Sequence, residues 1–161
     1  MKKFIVMVLI FVLALPVCAM AEQVSSERVL DKISYFSEEE LIVLEERIAQ
    51  FEEATGVVFW VETSNPAKSL DAFEDITNQD LLELVAAMEV RSRINALLNI
   101  GINKKDGHYM TWISVLGPAG TLKAYFSDGF EKAGVQVKLG KAVDGVLACL
   151  DSAEELLLAA E

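Results

Sequence analysis

The chain has a single histidine, His108, set in the stretch "NIGINKKDGHYMTW" two residues after Asp106 and close behind Lys104 and Lys105. An imidazole near a carboxylate and two ammonium groups has the residue types of general acid–base chemistry. That chemistry also needs a second polar group, held by another segment, to orient the base. The sequence signals none. The same residues make a hairpin tip: Asp106-Gly107 for the turn, the lysines in solvent, and His108 opening the return strand. The hairpin is the expected role, and His108 stays a distant candidate for chemistry.

Carboxylates are the other chemical resource. Glu38, Glu45 and Glu52 fall on one line of a helix, and Glu39, Glu46 and Glu53 on the neighbouring line. Opposite an apolar stripe, such lines are expected to be a solvated face. Calcium and magnesium sites draw their oxygens from loops, and the chain has no D-x-D-x-D-G loop. It also lacks a G-x-S-x-G elbow, a G-x-x-x-x-G-K phosphate cradle, and a Cys or His pair suited to zinc. Trp60 and Trp112 lie within strand-like runs and are expected in the core. Cys149, in the apolar "VLACL", reads as a small buried side chain.

Residues 1–21 read as an export signal: Met1-Lys2-Lys3, an apolar run from Phe4 to Val17, then the small-x-small site Ala19-Met20-Ala21. The run is shorter than the roughly 20 residues that span a bilayer, so cleavage rather than a stable transmembrane anchor is expected. A competing reading takes "LPVC" as a lipid signal with Cys18 as acceptor. Val17 is bulky where that signal wants a small residue. Cleavage after Ala21 leaves 140 residues, one domain's worth, with net charge −13 because Lys2 and Lys3 leave with the signal. Cys149 would then be alone, without an internal disulfide. Such an acidic balance argues against nucleic acid and anionic membranes, and leaves cation binding or solubility. The expected location is the periplasm or outside the cell.

These residues must be positioned by elements the pattern predicts. Residues 22–36 read as extended and irregular, with "RVLDKI" as a short edge strand. Ser37 and Glu40 form a capping box for a helix whose stripe is Leu41, Leu44, Ile48 and Phe51, ended by Gly56. "VVFWVE" (57–62) is a strand, broken by Asn65-Pro66. Residues 67–93 read as two helical pieces, the second capped near Thr77 and Asp80, with Arg91 and Arg93 at the helix end. "NALLNIGIN" and "HYMTWISVL" are hairpin strands, apolar on both faces, which demands helices above and below. Leu122, Tyr125, Phe126, Phe130 and Ala133 mark another helix. Leu139, Val143, Val146, Leu147 and Leu150 mark the next, with Asp151-Ser152 restarting a last one. The expected architecture is a single-domain α/β/α sandwich over residues 37–161, with a small mixed sheet near 57–62, 95–103 and 108–116.

The order of these pieces resembles the TPM domain, the family of thylakoid-lumen phosphatase, photosystem-repair and receptor-auxiliary proteins. The resemblance is carried by "VLDKISYFSEEELIVLEERIAQFEEATGVVFWVET" (29–63), with weaker support from "NALLNIGINKKDGHYMTWI" and "FEKAGVQVKLGKAVDGVLACL". It implies the α/β/α sandwich, export, and in some members a calcium or magnesium site with acid phosphatase activity. Asp31 matches the family's entry Asp and Asn95 its strand-opening Asn, with Asp128 a further metal candidate. The chain departs where Arg93 and Ile94 replace the usual acid, Ala96 replaces a Gly, and "GPAG" (117–120) replaces a Gly-Tyr-Gly-like loop. Losing a carboxylate beside an arginine weakens a cation site. The expected function is therefore a non-catalytic module that binds an envelope protein partner, and the alternative is a divalent-cation-dependent phosphatase.

Overall fold

The structure, a computed structural model, describes residues 27–88, 90, 93–103, 105, 107–117 and 123–160. The stretch read as an export signal, with Cys18, and Lys104, Asp106, Arg91, residues 118–120 of "GPAG" and Leu122 lie outside these. Among the described residues the order is β1 (Val29–Asp31), α1 (Glu38–Thr55), β2 (Val58–Ser64), α2 (Leu70–Ala87), β3 (Asn95–Asn103), β4 (His108–Leu116), α3 (Lys123–Lys138) and α4 (Ala142–Leu158). The sheet runs β1-β2-β3-β4, parallel across the first three strands and antiparallel between β3 and β4.

The capping box forms as expected: the Ser37 hydroxyl accepts from Glu40 N–H and the Glu40 side chain accepts from Ser37 N–H. Gly56 closes α1 in the left-handed conformation at φ +69. "RVLDKI" supplies a true edge strand, with Val29, Leu30 and Asp31 level with Val61, Glu62 and Thr63. The sheet thus has four strands: the three expected near 57–62, 95–103 and 108–116 and the short edge strand read in "RVLDKI".

Two helix boundaries differ from expectation. Residues 70–87 form one helix, capped by Ser69, whose hydroxyl accepts from Ala72 N–H. Thr77 is no cap. It is buried in mid-helix, and its hydroxyl donates to the Phe73 carbonyl one turn back, so its backbone bonding never competes with the helix. Likewise Ala142–Leu158 is continuous through Asp151-Ser152 because Cys149, Leu150, Ser152 and Ala153 stay on its buried side. Leu139 lies in the α3–α4 turn, mostly exposed, where Gly140 takes φ +73.

The sheet is covered unequally. Phe59 and Val61 of β2, with Ala96, Leu98 and Ile100 of β3, pack under α1, α3 and α4. Val58, Trp60 and Leu97 face the other way, under Leu81 and Val85 of α2. Two parallel crossovers that step in the same direction but use opposite faces have opposite hands. One of them is therefore left-handed, a rare form.

α3 and α4 approach closely. A Cβ on Gly129 would stand 2.7 Å from the Cys149 carbonyl oxygen, and one on Gly145 would stand 3.0 Å from the Ala133 carbonyl oxygen. Small residues let the two backbones touch.

Candidate functional site

The chain leaves the carboxyl end of β1 toward α1 on one face, and the end of β2 toward α2 on the other. Strands that send their connections to opposite faces open a crevice between their carboxyl ends, the usual ligand position in open α/β sheets. Here the chain's own polar groups fill it. Asp31 Oδ1 accepts from Tyr35 N–H at 2.9 Å and Oδ2 from Phe36 N–H at 2.9 Å, and the Thr63 hydroxyl donates to Oδ1. Asp31 thus holds the β1–α1 loop.

Beyond it, Lys32 Nζ reaches Glu62 Oε2 at 2.8 Å and Asp80 Oδ2 at 3.2 Å. Glu62 Oε1 accepts from Asn99 Nδ2 at 3.3 Å, and Asn99 Oδ1 accepts from the Ser64 hydroxyl at 2.9 Å. Burial pushes the Glu62 carboxyl up to about 7; Lys32 opposes the rise and Asp80 adds to it. Burial pulls the Lys32 ammonium down, but its two carboxylate partners outweigh that and hold it above the ordinary lysine range.

The three metal candidates do not converge. Asp31 is level with Thr63 and Ile100, whereas Asn95 is level with Val58 at the other end of the same ladder. Five strand residues separate the two levels, roughly 16 Å along the sheet. Asn95 Nδ2 donates to the Val90 and Arg93 carbonyls at 3.1 and 2.7 Å, holding the turn before β3. Asp128 is exposed on α3, 3.6 Å from Lys132. Arg93 Nε donates to the Gly56 carbonyl at 3.0 Å and so ties off α1. Among the described residues no three His, Cys, Asp or Glu side chains group as metal ligands.

The glutamate lines of α1 are not a uniform solvated face. Glu38, Glu39, Glu46 and Glu53 are exposed, but Glu45 and Glu52 are half-buried. Glu45 Oε1 accepts from the N–H groups of Arg28 and Val29, both at 2.8 Å. Glu52 pairs with Arg28 Nε at 2.7 Å and accepts from Phe59 N–H at 3.0 Å. These two acids attach β1 and β2 to α1. The signal missed was Arg28, an isolated cation just before an edge strand.

The hairpin is as expected: Asn103 faces His108, Gly107 takes φ +68, and its N–H donates to the Asn103 carbonyl at 3.0 Å. His108 is exposed at the start of β4. It also lines a groove of about 480 Å³ along the outer edge of β4, between Leu70 at the start of α2 and Phe130, Gly134 and Lys138 of α3. A smaller apolar pocket of about 80 Å³, lined by Trp112, Ile113, Ser127 and Phe130, continues it. Trp60 is fully buried, while Trp112 is half-buried with its ring against Phe130, at 6.4 Å between centroids.

No family model and no curated protein matches the chain. Solved structures do. The chain is similar to the N-terminal domain of a P. gingivalis protein, at 17% identity and TM-score 0.56, covering 85% of this chain and 86% of that one. It is similar to the BA42 protein of the psychrophilic bacterium Bizionia argentinensis, at 13% identity and TM-score 0.57, covering 80% and 85%. The N-terminal domain of cg2496 from Corynebacterium glutamicum aligns at 12% identity and TM-score 0.56, covering 86% and 84%. At such identities the likeness establishes the fold, a single-domain α/β arrangement shared nearly end to end.

Proposed function

We propose that this chain is an exported, TPM-like module that binds a protein partner in the cell envelope and performs no catalysis. One observation carries the reading: Asp31 and Asn95, the residues matching the family's positions, each hold a neighbouring loop, at opposite ends of the sheet. A cation site would need their oxygens turned to one point. Residues 29–63 support the family, and residues 1–21 support export to the periplasm or beyond, with cleavage before Glu22 rather than acylation of Cys18. Among the described residues no helix is long and apolar enough to cross a membrane.

The second reading is a phosphatase using calcium or magnesium. It draws on Asp31, Glu62 and Asp80 standing near the crevice between β1 and β2. One experiment separates the two. Millimolar calcium, against a control of matched ionic strength, is expected to leave the melting temperature unchanged, with no hydrolysis of a generic phosphomonoester. Calcium at 100 times its dissociation constant would add about 2.7 kcal/mol, a rise of several degrees. Such a rise, together with hydrolysis, would establish the phosphatase. Mass spectrometry of the envelope fraction tests export, with a chain beginning at Glu22 expected.

A further inference from the structure

We infer that the outer edge of β4 is a docking groove for an extended segment of a partner protein, which adds to the sheet as a fifth strand. The inference rests on the binding-module reading and names the partner's chemistry. Among the described residues β4 pairs with β3 on one side and with no strand on the other. An edge strand presents a row of backbone donors and acceptors that another extended backbone matches. The groove runs along that edge for the first four residues of β4, with α2 and α3 as its walls.

Three further observations shape the occupant. Gly134 sits in α3 beside β4 and lines the groove, and a Cβ there would stand 3.3 Å from the Thr111 hydroxyl, so a side chain larger than a methyl would crowd the groove at Thr111. The apolar pocket at Trp112, Ile113 and Phe130 is sized for one aliphatic side chain. Glu131 and Lys138 line the groove two helical turns apart, with Lys138 Nζ over the Tyr109 ring at 5.8 Å. The partner segment therefore carries an aliphatic residue at one end, then a basic residue for Glu131, then an acidic one for Lys138.

The test uses the mature chain and fluorescein-labelled peptides of sequence Ser-Leu-Thr-Lys-Thr-Val-Thr-Asp-Thr, whose Leu, Lys and Asp share one face of a strand, and its reverse, read by anisotropy and amide exchange. One orientation is expected to bind below millimolar, with exchange slowed along β4 and not elsewhere. N-methylating alternate residues removes donors from one edge of the peptide only. One alternate set is expected to abolish binding and the other to leave it. Gly134→Leu is expected to abolish binding while the melting temperature holds or rises, and Gly134→Ala to retain it. Lys138→Glu is expected to weaken binding about tenfold, and a peptide with Lys in place of Asp to restore it.

Equal loss from both N-methyl sets, protection away from β4, or a dimer of the chain with β4 protected would overturn the inference. So would failure of both peptides at millimolar concentration. That failure, with calcium and phosphomonoester still inert, removes this groove but leaves the binding module. Calcium-dependent hydrolysis removes the module itself.

Discussion

Lys32 Nζ lies 2.8 Å from Oε2 of Glu62, a side chain only 1% exposed at the carboxyl end of β2. The carboxyl rises from 4.5 to about 7, chiefly by burial, so the folded state holds a proton that the unfolded chain has released. Stability from this group is full below about pH 4.5 and is lost as pH rises through about 7. At about 1.4 kcal/mol per unit the loss is on the order of 3 kcal/mol. Urea unfolding at pH 5 and pH 8 should show the decline. Glu62→Gln should flatten it, and an unchanged slope in that variant would point to another group.

Glu45 is expected to matter for folding. Glu45→Ala strips the acceptor from the Arg28 and Val29 N–H groups at the start of β1. Each orphaned donor costs about 1–3 kcal/mol where water cannot reach it. Glu46→Ala, one residue away and exposed, should stay within about 0.5 kcal/mol. Equal effects in chemical denaturation would refute the distinction.

Asp31→Ala should destabilise the domain by a similar 1–3 kcal/mol, since the Tyr35 and Phe36 N–H groups lose their acceptor. The loss should be the same with calcium or with a chelator present. A loss seen only with calcium would mean that Asp31 is a ligand after all.

Gly129→Ala should destabilise although alanine is the better helix former. The new methyl meets Cys149 backbone at 2.7 Å, and overpacking of this kind costs about 1–3 kcal/mol. Gly134→Ala brings its methyl 3.3 Å from the Thr111 hydroxyl alone, and a small rotation of that half-buried side chain should let the helix gain up to about 1 kcal/mol instead. Thermal melts of the two variants should move in opposite directions.

Cys149 is fully buried, and burial pushes its thiol up to about 12. Iodoacetamide at pH 8 should label it only at the rate of unfolding. Rapid labelling of the native protein would show an opening between α3 and α4.

His108→Ala should leave stability within about 0.5 kcal/mol, as befits an exposed strand start. Its role in partner binding is tested by the same peptides. A hundredfold loss of a measured turnover would make it catalytic.

Much of the fold was legible. The Ser37–Glu40 box, Gly56 and the Asn103–His108 closure are local signals, and each is realised at its predicted position. The break placed at Thr77 misread a polar residue as a cap, because a hydroxyl bonded back to the preceding turn looks the same in sequence as one bonded forward, and the break at Asp151-Ser152 missed that Ser152 is a small residue on the buried side of a continuous helix. The crevice network was not legible at all. Lys32, Glu62 and Asp80 are spread over 49 residues and meet only through strand register and the placement of α2. Asp31 was visible as a special residue, but not its occupation by two backbone N–H groups four and five residues on.

The unequal cover of the sheet gives the molecule two separate optical reporters. Trp60 is buried against Leu81 and Val85, so its emission follows the single helix α2. Trp112 rests on Phe130 and follows α3. A layer held by one helix can leave before the rest, as a cooperative unit of lower stability. Variants with Trp60→Phe or Trp112→Phe would then melt at different apparent midpoints, and the gap between them would measure how independently the two faces of this small domain come apart.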